Sequence, residues 1–148
     1  MTDATTGAQS EAPRHRVLLV EDDEDVVALL REILSHEGFE PVVARDGLEG
    51  LLRMQTGTPD LALLDIMMPD VNGVRVVEQL LEDGDGSLPV PIIVITGSPD
   101  GAAQARELLG REDVFEKPFD PTKLIARIRE RLGPSPSSPP RPAPTPDD

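Results

Sequence analysis

Asp65 closes the apolar run Leu61-Ala62-Leu63-Leu64 and is followed by Ile66-Met67-Met68-Pro69. Continuous rather than alternating hydrophobicity reads as a strand buried on both faces of a parallel sheet. A carboxylate at the C-terminal end of such a strand points into the crevice where open α/β sheets bind ligands. Three more polar groups follow apolar runs in the same way: Glu21-Asp22-Asp23, Thr96 and Lys117. An acidic cluster, a lone Asp, a hydroxyl and an ammonium at strand ends suit a phosphoryl group handled with a divalent metal. Oxygen ligands hold a hard cation, while the cationic and hydroxyl donors meet phosphoryl oxygens.

Alternating elements must bring these groups together. Arg16 to Val20 reads as strand one. Asp23 to His36 reads as a helix with Val26, Val27, Leu29, Leu30, Ile33 and Leu34 on its apolar side, ended by Gly38. Pro41 to Ala44 is strand two, and Asp46 caps a short helix to Met54. Leu61 to Asp65 is strand three, and Asn72 to Leu81 is helix three. A Gly/Asp loop from Glu82 to Pro89 leads to strand four, Pro91 to Ile95. A helix follows to about Leu109, and Val114-Phe115 is a short strand five. Asp120 caps the last helix, with Pro121 at its first position and Gly133 at its stop. Five βα units with short loops imply a parallel sheet with helices on both faces.

Composition bounds the rest. The chain has 148 residues, room for one domain and its tails: an arm at 1–14, a body at 15–133 and a Pro-rich tail at 134–148. Seven of the 16 prolines fall in that tail, which buries no core and reads as an extended spacer or a ligand for a proline-binding partner. There is no cysteine, so thiolate metal sites and Cys nucleophiles are excluded; this fits a reducing cytoplasm. No apolar stretch reaches the ~18 residues of a membrane span, and the N-terminus lacks a signal-peptide pattern. A net charge of −14, carried by the body rather than the tails, argues against nucleic acid as a partner. His15 and His36 read as surface residues.

The body, Arg16 to about Gly133, resembles a response-regulator receiver domain of two-component signalling, of the CheY-like kind. The match is carried by Val20-Glu21-Asp22-Asp23, Asp65-Ile66-Met67-Met68-Pro69-Asp70-Val71-Asn72-Gly73, Ile95-Thr96-Gly97 and Lys117-Pro118-Phe119. The resemblance implies a flavodoxin-like (βα)5 fold, a doubly wound five-stranded parallel sheet in the order 2-1-3-4-5. It implies Asp65 as phosphoacceptor, attacking a phosphohistidine to form an acyl phosphate. It implies Mg²⁺ (or Mn²⁺) held by Asp22, Asp65 and the Met67 backbone carbonyl, with Glu21 acting through a water. Family members often carry Asp at the Glu21 position. Asp23 has two readings, the metal shell or the cap of helix one. Lys117, after which a cis bond to Pro118 is implied, and Thr96 would meet the phosphoryl oxygens, and Gly97 would leave them room.

The implied partners are a sensor histidine kinase or His-phosphotransfer protein and an unknown downstream protein. A homodimer through helix four, strand five and helix five is a further option. Lys123, Arg127, Arg129 and Arg131 on helix five suit such a contact or simply a helix C-terminus that favours cations. Two features depart from the family. Val114 stands where receivers carry an aromatic on strand five, with Phe115 beside it, which puts the aromatic switch in question. The Thr96-to-Lys117 segment is slightly short, which puts the regularity of helix four in question.

The leading expectation is a stand-alone receiver that catalyses only its own phosphorylation and dephosphorylation and signals by protein contact. The alternative is a phosphorylation-independent binding module on the same fold. A metal-dependent phosphatase with an Asp nucleophile would want a second Asp where Met67 stands, and no nucleotide-binding glycine loop is present.

Overall fold

The computed structural model describes residues 14–56, 59–68 and 72–133. The tail, all of the N-terminal arm but Arg14, and Pro69-Asp70-Val71 lie outside the described residues. Five strands, Arg16–Val20 (β1), Glu40–Ala44 (β2), Leu61–Leu64 (β3), Ile92–Thr96 (β4) and Val114–Glu116 (β5), alternate with five helices. These are Glu24–His36 (α1), Gly47–Gln55 (α2), Gly73–Asp83 (α3), Pro99–Leu109 (α4) and Pro121–Leu132 (α5). All strands pair in parallel, in the order β2-β1-β3-β4-β5. This is the doubly wound order that the resemblance implies.

The period-2 alternation of strand side chains divides the core into two layers. Leu18, Val20, Ala62, Leu64, Ile92, Val94 and Val114 pack against α2, α3 and α4. Val17, Leu19, Leu61, Leu63, Ile93 and Ile95 pack against α1 and α5, with Phe115 at the margin. Both faces of the central strands are therefore covered, which is why their sequences run apolar without a break.

Each helix opens on a side chain that accepts a first-turn N–H: Asp23, Asp46, Asn72, Ser98 and Asp120. Such caps contribute about 1 kcal/mol each. α1 ends in a Schellman motif. Phe39 N–H reaches Leu34 O at 2.9 Å, Gly38 N–H reaches Ser35 O at 3.2 Å, and Gly38 has a φ of 91°. The Lys117–Pro118 bond is cis.

Some expectations need correction. Leu29, read as apolar-side, is 47% exposed. His15, read as a surface residue, is half-buried, its Nδ1 3.7 Å from Asp60. Helix four is regular over 11 residues. After it, Gly110 takes a φ of 94° and leads into a 3-10 turn, Arg111–Asp113.

Gly73 shows how tightly α3 sits on the strand-three loop. A β-carbon there would lie 2.5 Å from Ile66 Cα, which is backbone and cannot swing aside. Gly73→Ala is therefore expected to lower stability by about 2 kcal/mol, overpacking outweighing Ala's better helix propensity. Urea unfolding checks this; an unchanged or raised midpoint would show that the Ile66 loop gives way freely.

Candidate phosphoryl-acceptor site

The carboxyl ends of β1, β3, β4 and β5 open into one cleft of about 380 Å³. Glu21, Asp22, Asp65, Met67, Ser98 and Lys117 line it, with Asp23 and Gly97. Asp65 lies one residue past β3, its N–H bonded to Val20 O at 3.0 Å. One carboxylate oxygen, Oδ1, accepts from Met67 N–H at 2.9 Å. The other, Oδ2, is 3.3 Å from Lys117 Nζ. The same ammonium is 3.2 Å from Glu21 Oε1. The longer Glu21 side chain folds back on its own turn, so that Oε2 accepts from Asp23 N–H at 3.1 Å. Glu21 and Asp65 are buried, while Asp22 is exposed at the rim.

Four carboxyl groups, Glu21, Asp22, Asp23 and Asp65, against the Lys117 ammonium leave the cleft net negative. Glu21, Asp22 and Asp65 each bring an oxygen within 4.8 Å of the others. An all-oxygen, anionic donor set partly open to water fits Mg²⁺ or Mn²⁺, hard ions that take few protein ligands. Burial pushes the Glu21 carboxyl up from 4.5 to about 7, aided by its hydrogen bond and repulsion with Asp65 and opposed by Asp23 N–H and Lys117. Burial pulls the Lys117 ammonium down, but Asp65 and Glu21 outweigh it and raise its pKa above the ordinary lysine value.

The Glu21 shift carries a sign. A carboxyl raised in the folded state gives stability that is full below its unfolded value of 4.5 and is lost as pH rises through about 7. Metal-free protein is therefore expected to be more stable at pH 5 than at pH 8, by on the order of 2 kcal/mol. Urea titration in chelator at both pH values checks this, and a midpoint that rises with pH would contradict it.

The sequence-based site residues fall into three groups. Asp65, Lys117, Glu21, Asp22, Met67 and Gly97 meet in the cleft as expected. Of the two readings of Asp23, the structure shows the cap: its Oδ1 accepts from Asp25 and Val26 N–H at 2.9 and 3.4 Å, and the residue lies at the rim of the cleft outside the Glu21, Asp22 and Asp65 cluster. Thr96 is wholly buried, and its Oγ1 accepts from Ser98 N–H at 3.1 Å. It is not among the residues that line the cleft. Ser98 was missed as a cleft residue, although a Ser before Pro99 is a readable N-cap. Val114 sits beside Val94 on the α3/α4 face, whereas Phe115 points to the α1/α5 face. No aromatic ring stands at the switch position.

The cationic face of α5 is largely spoken for. Arg127 Nε binds the buried Asp113 carboxylate at 2.7 Å, a hydrogen bond that raises the Arg127 pKa, and Arg131 lies 3.9 Å from the same carboxylate. Arg129 binds Glu37 at 2.8 Å and lies over Phe39. These arginines hold α5 to the turn before β5 and to the end of α1.

Residues 17–129 match the family model described as the response regulator receiver domain. The DNA-binding response regulator MtrA of Mycobacterium tuberculosis is 38% identical over 120 residues, covering 80% of this chain and 51% of that protein. The alkaline phosphatase synthesis transcriptional regulatory protein PhoP of Bacillus subtilis is 35% identical over 118 residues, covering 79% and 48%. The chain spans about half the length of the curated relatives it matches. Among solved structures, a CheY-like receiver domain protein of Methanospirillum hungatei superposes with a TM-score of 0.68 at 30% identity, covering 80% of this chain and 94% of that one.

Proposed function

The chain belongs to the response-regulator receiver family, and from that premise we propose that Asp65 accepts a phosphoryl group from the phosphohistidine of a sensor histidine kinase or His-phosphotransfer protein. The observation that carries this reading is the Asp65 carboxylate, fixed at the cleft between Met67 N–H and Lys117 Nζ. One contact orients the nucleophile, and the other places a cation where charge arrives.

The Asp65 carboxylate attacks phosphorus as the N–P bond of the donor breaks. The bonding pair stays with the imidazole nitrogen, and an acyl phosphate forms on Asp65. Lys117 offsets charge on the phosphoryl oxygens. Thr96 donates its hydroxyl proton to one of them, and Gly97 presents no side chain against them. Asp22, Asp65 and the Met67 carbonyl would hold Mg²⁺ or Mn²⁺, with Glu21 through a water; when bound, the ion supplies positive charge to the transferring group. Hydrolysis of the acyl phosphate resets the site, and the chain transforms no other substrate.

The phosphorylated domain signals through protein contact with a downstream partner, and a second copy of the chain is one candidate for that partner. The same reading places the protein in the bacterial cytoplasm; no described helix is long and apolar enough to cross a membrane. DNA binding is named for the MtrA relative, and the match to it covers receiver residues. A second reading, a binding module independent of phosphorylation, is favoured by Val114 in place of a switch aromatic. Intact mass after incubation with Mg²⁺ and acetyl phosphate separates the two. A gain of about 80 Da, one phosphoryl group, supports the receiver reading. No gain in folded, metal-binding protein supports the module.

A further inference from the structure

Ile66 has no part in the chemistry above, yet it adjoins Asp65 in the chain and is 3% exposed. Two helices seat on it. Gly73 in α3 meets its backbone, with Gly73 N–H on Ile66 O at 3.1 Å. Gly101, in the first turn of α4, meets the tip of its side chain: a β-carbon at 101 would lie 2.7 Å from Ile66 Cδ1. The Ile66 methyl fills the notch that Gly101 leaves.

That same turn of α4 is tied to Thr96. Thr96 Oγ1 accepts from Ser98 N–H, and Ser98 Oγ accepts from Gly101 N–H at 3.0 Å. The first turn of α4 is thus linked to the cleft twice, through Ile66 to Asp65 and through Ser98, which lines the cleft and is bonded to Thr96. The N-terminal turns of α4 bury only small residues, Gly101, Ala102 and Ala105, whereas α3 buries Val74, Val76, Val77 and Leu80. Leu108 and Leu109 pack the other end of α4 on the core. The N-terminal turns have less apolar surface to re-expose than that end, so less opposes their shift. Val114, packed on the same face of the sheet, has no ring to rotate.

We propose that the Ile66 Cδ1 methyl, seated against Gly101, couples the first turn of α4 to the phosphorylation state of Asp65. The inference rests on Asp65 being the phosphoacceptor. New phosphoryl oxygens draw in the Thr96 hydroxyl and the Asp65 loop, and Ser98 and Ile66 then act on one turn of helix. The N-terminal turns of α4 move relative to the end that Leu108 and Leu109 hold, and their exposed face is the surface that changes for a partner.

Ile66→Val removes Cδ1 and keeps the branch that faces Gly73; adding Gly101→Ala returns a methyl from the opposite side. Parent, single and double variants are held with Mg²⁺ and excess acetyl phosphate. Intact mass reports phosphorylation, and NMR reports hydrogen exchange at the Gly101 and Ala102 amides with and without donor. All three proteins are expected to gain the phosphoryl group equally. The phosphorylation-linked change in exchange is expected to shrink about threefold or more in Ile66→Val and to return in the double variant. An equal change in parent and Ile66→Val, at equal phosphorylation, overturns the inference alone. A response still lost in the double variant also overturns it, because general loosening rather than the contact would be the cause. No mass gain in the parent overturns the phosphoacceptor reading and this inference with it.

Discussion

Asp65→Asn is expected to abolish the gain of about 80 Da with Mg²⁺ and acetyl phosphate, lowering the rate of modification by at least about 10³-fold. An amide is a poor nucleophile, yet it keeps the shape of the carboxylate. Its oxygen can still accept from Met67 N–H, as Asp65 Oδ1 does now. Its NH₂ takes the Oδ2 place and gives up the Lys117 Nζ contact, while Lys117 keeps Glu21 Oε1 at 3.2 Å and the NH₂ can donate to Glu21. Removing one of three clustered negative charges relieves repulsion, so the variant is expected to be at least as stable as the parent. The two readouts together distinguish chemistry from folding. Loss of the adduct with an undiminished urea midpoint marks Asp65 as the nucleophile. Full modification of the variant would move the phosphoryl group to another side chain, with the rim carboxylate Asp22 first to be tested.

The parts of this site legible in the sequence share one physical basis. Asp65, Glu21 and Lys117 each follow an apolar run, and parallel strands bring their C-terminal ends to one edge whatever the details of packing. The strand order came from family resemblance, because periodicity alone leaves it open. What escaped was set by tertiary contact. The hydroxyl of Thr96 turns to Ser98 N–H, a rotamer choice that no spacing records. Phe115 is one residue from the switch position, but strand geometry sends it to the opposite face, so proximity in sequence is no proximity in space. The arginines of α5 read as a contact face or as a helix end that favours cations; that Asp113 and Glu37 hold them is set by the fold. The fit of Ile66 against Gly101 joins residues from separate βα units and has no signature in either.

Lys117→Met is expected to move two properties of the cleft in opposite directions. Methionine keeps an unbranched stem of similar length and removes the ammonium that lies 3.2 Å from Glu21 and 3.3 Å from Asp65. In metal-free protein the buried carboxylates then lose their counterion, at a cost of about 2 kcal/mol, below the 3–5 kcal/mol of a fully buried pair because Lys117 is partly exposed. Lys117 is one of the influences that lower the Glu21 pKa, so its removal pushes that carboxyl further up and makes the loss larger at high pH than at low. At the proposed metal site, Mg²⁺ would compete electrostatically with the ammonium for the Glu21 and Asp65 carboxylates. Removing the competitor is expected to tighten Mg²⁺ binding about tenfold, a modest share of the Coulomb energy between such charges at an effective dielectric constant of about 20. Saturating Mg²⁺ is therefore expected to recover much of the lost stability. Phosphorylation is expected to fall about 10²-fold all the same, because a cation placed for the transferring oxygens is gone. Calorimetric Mg²⁺ titration and intact mass on one sample test both signs. Weaker Mg²⁺ binding in the variant would show that Lys117 orients the carboxylates rather than competing for them, and phosphorylation at the parental rate would remove it from the chemistry.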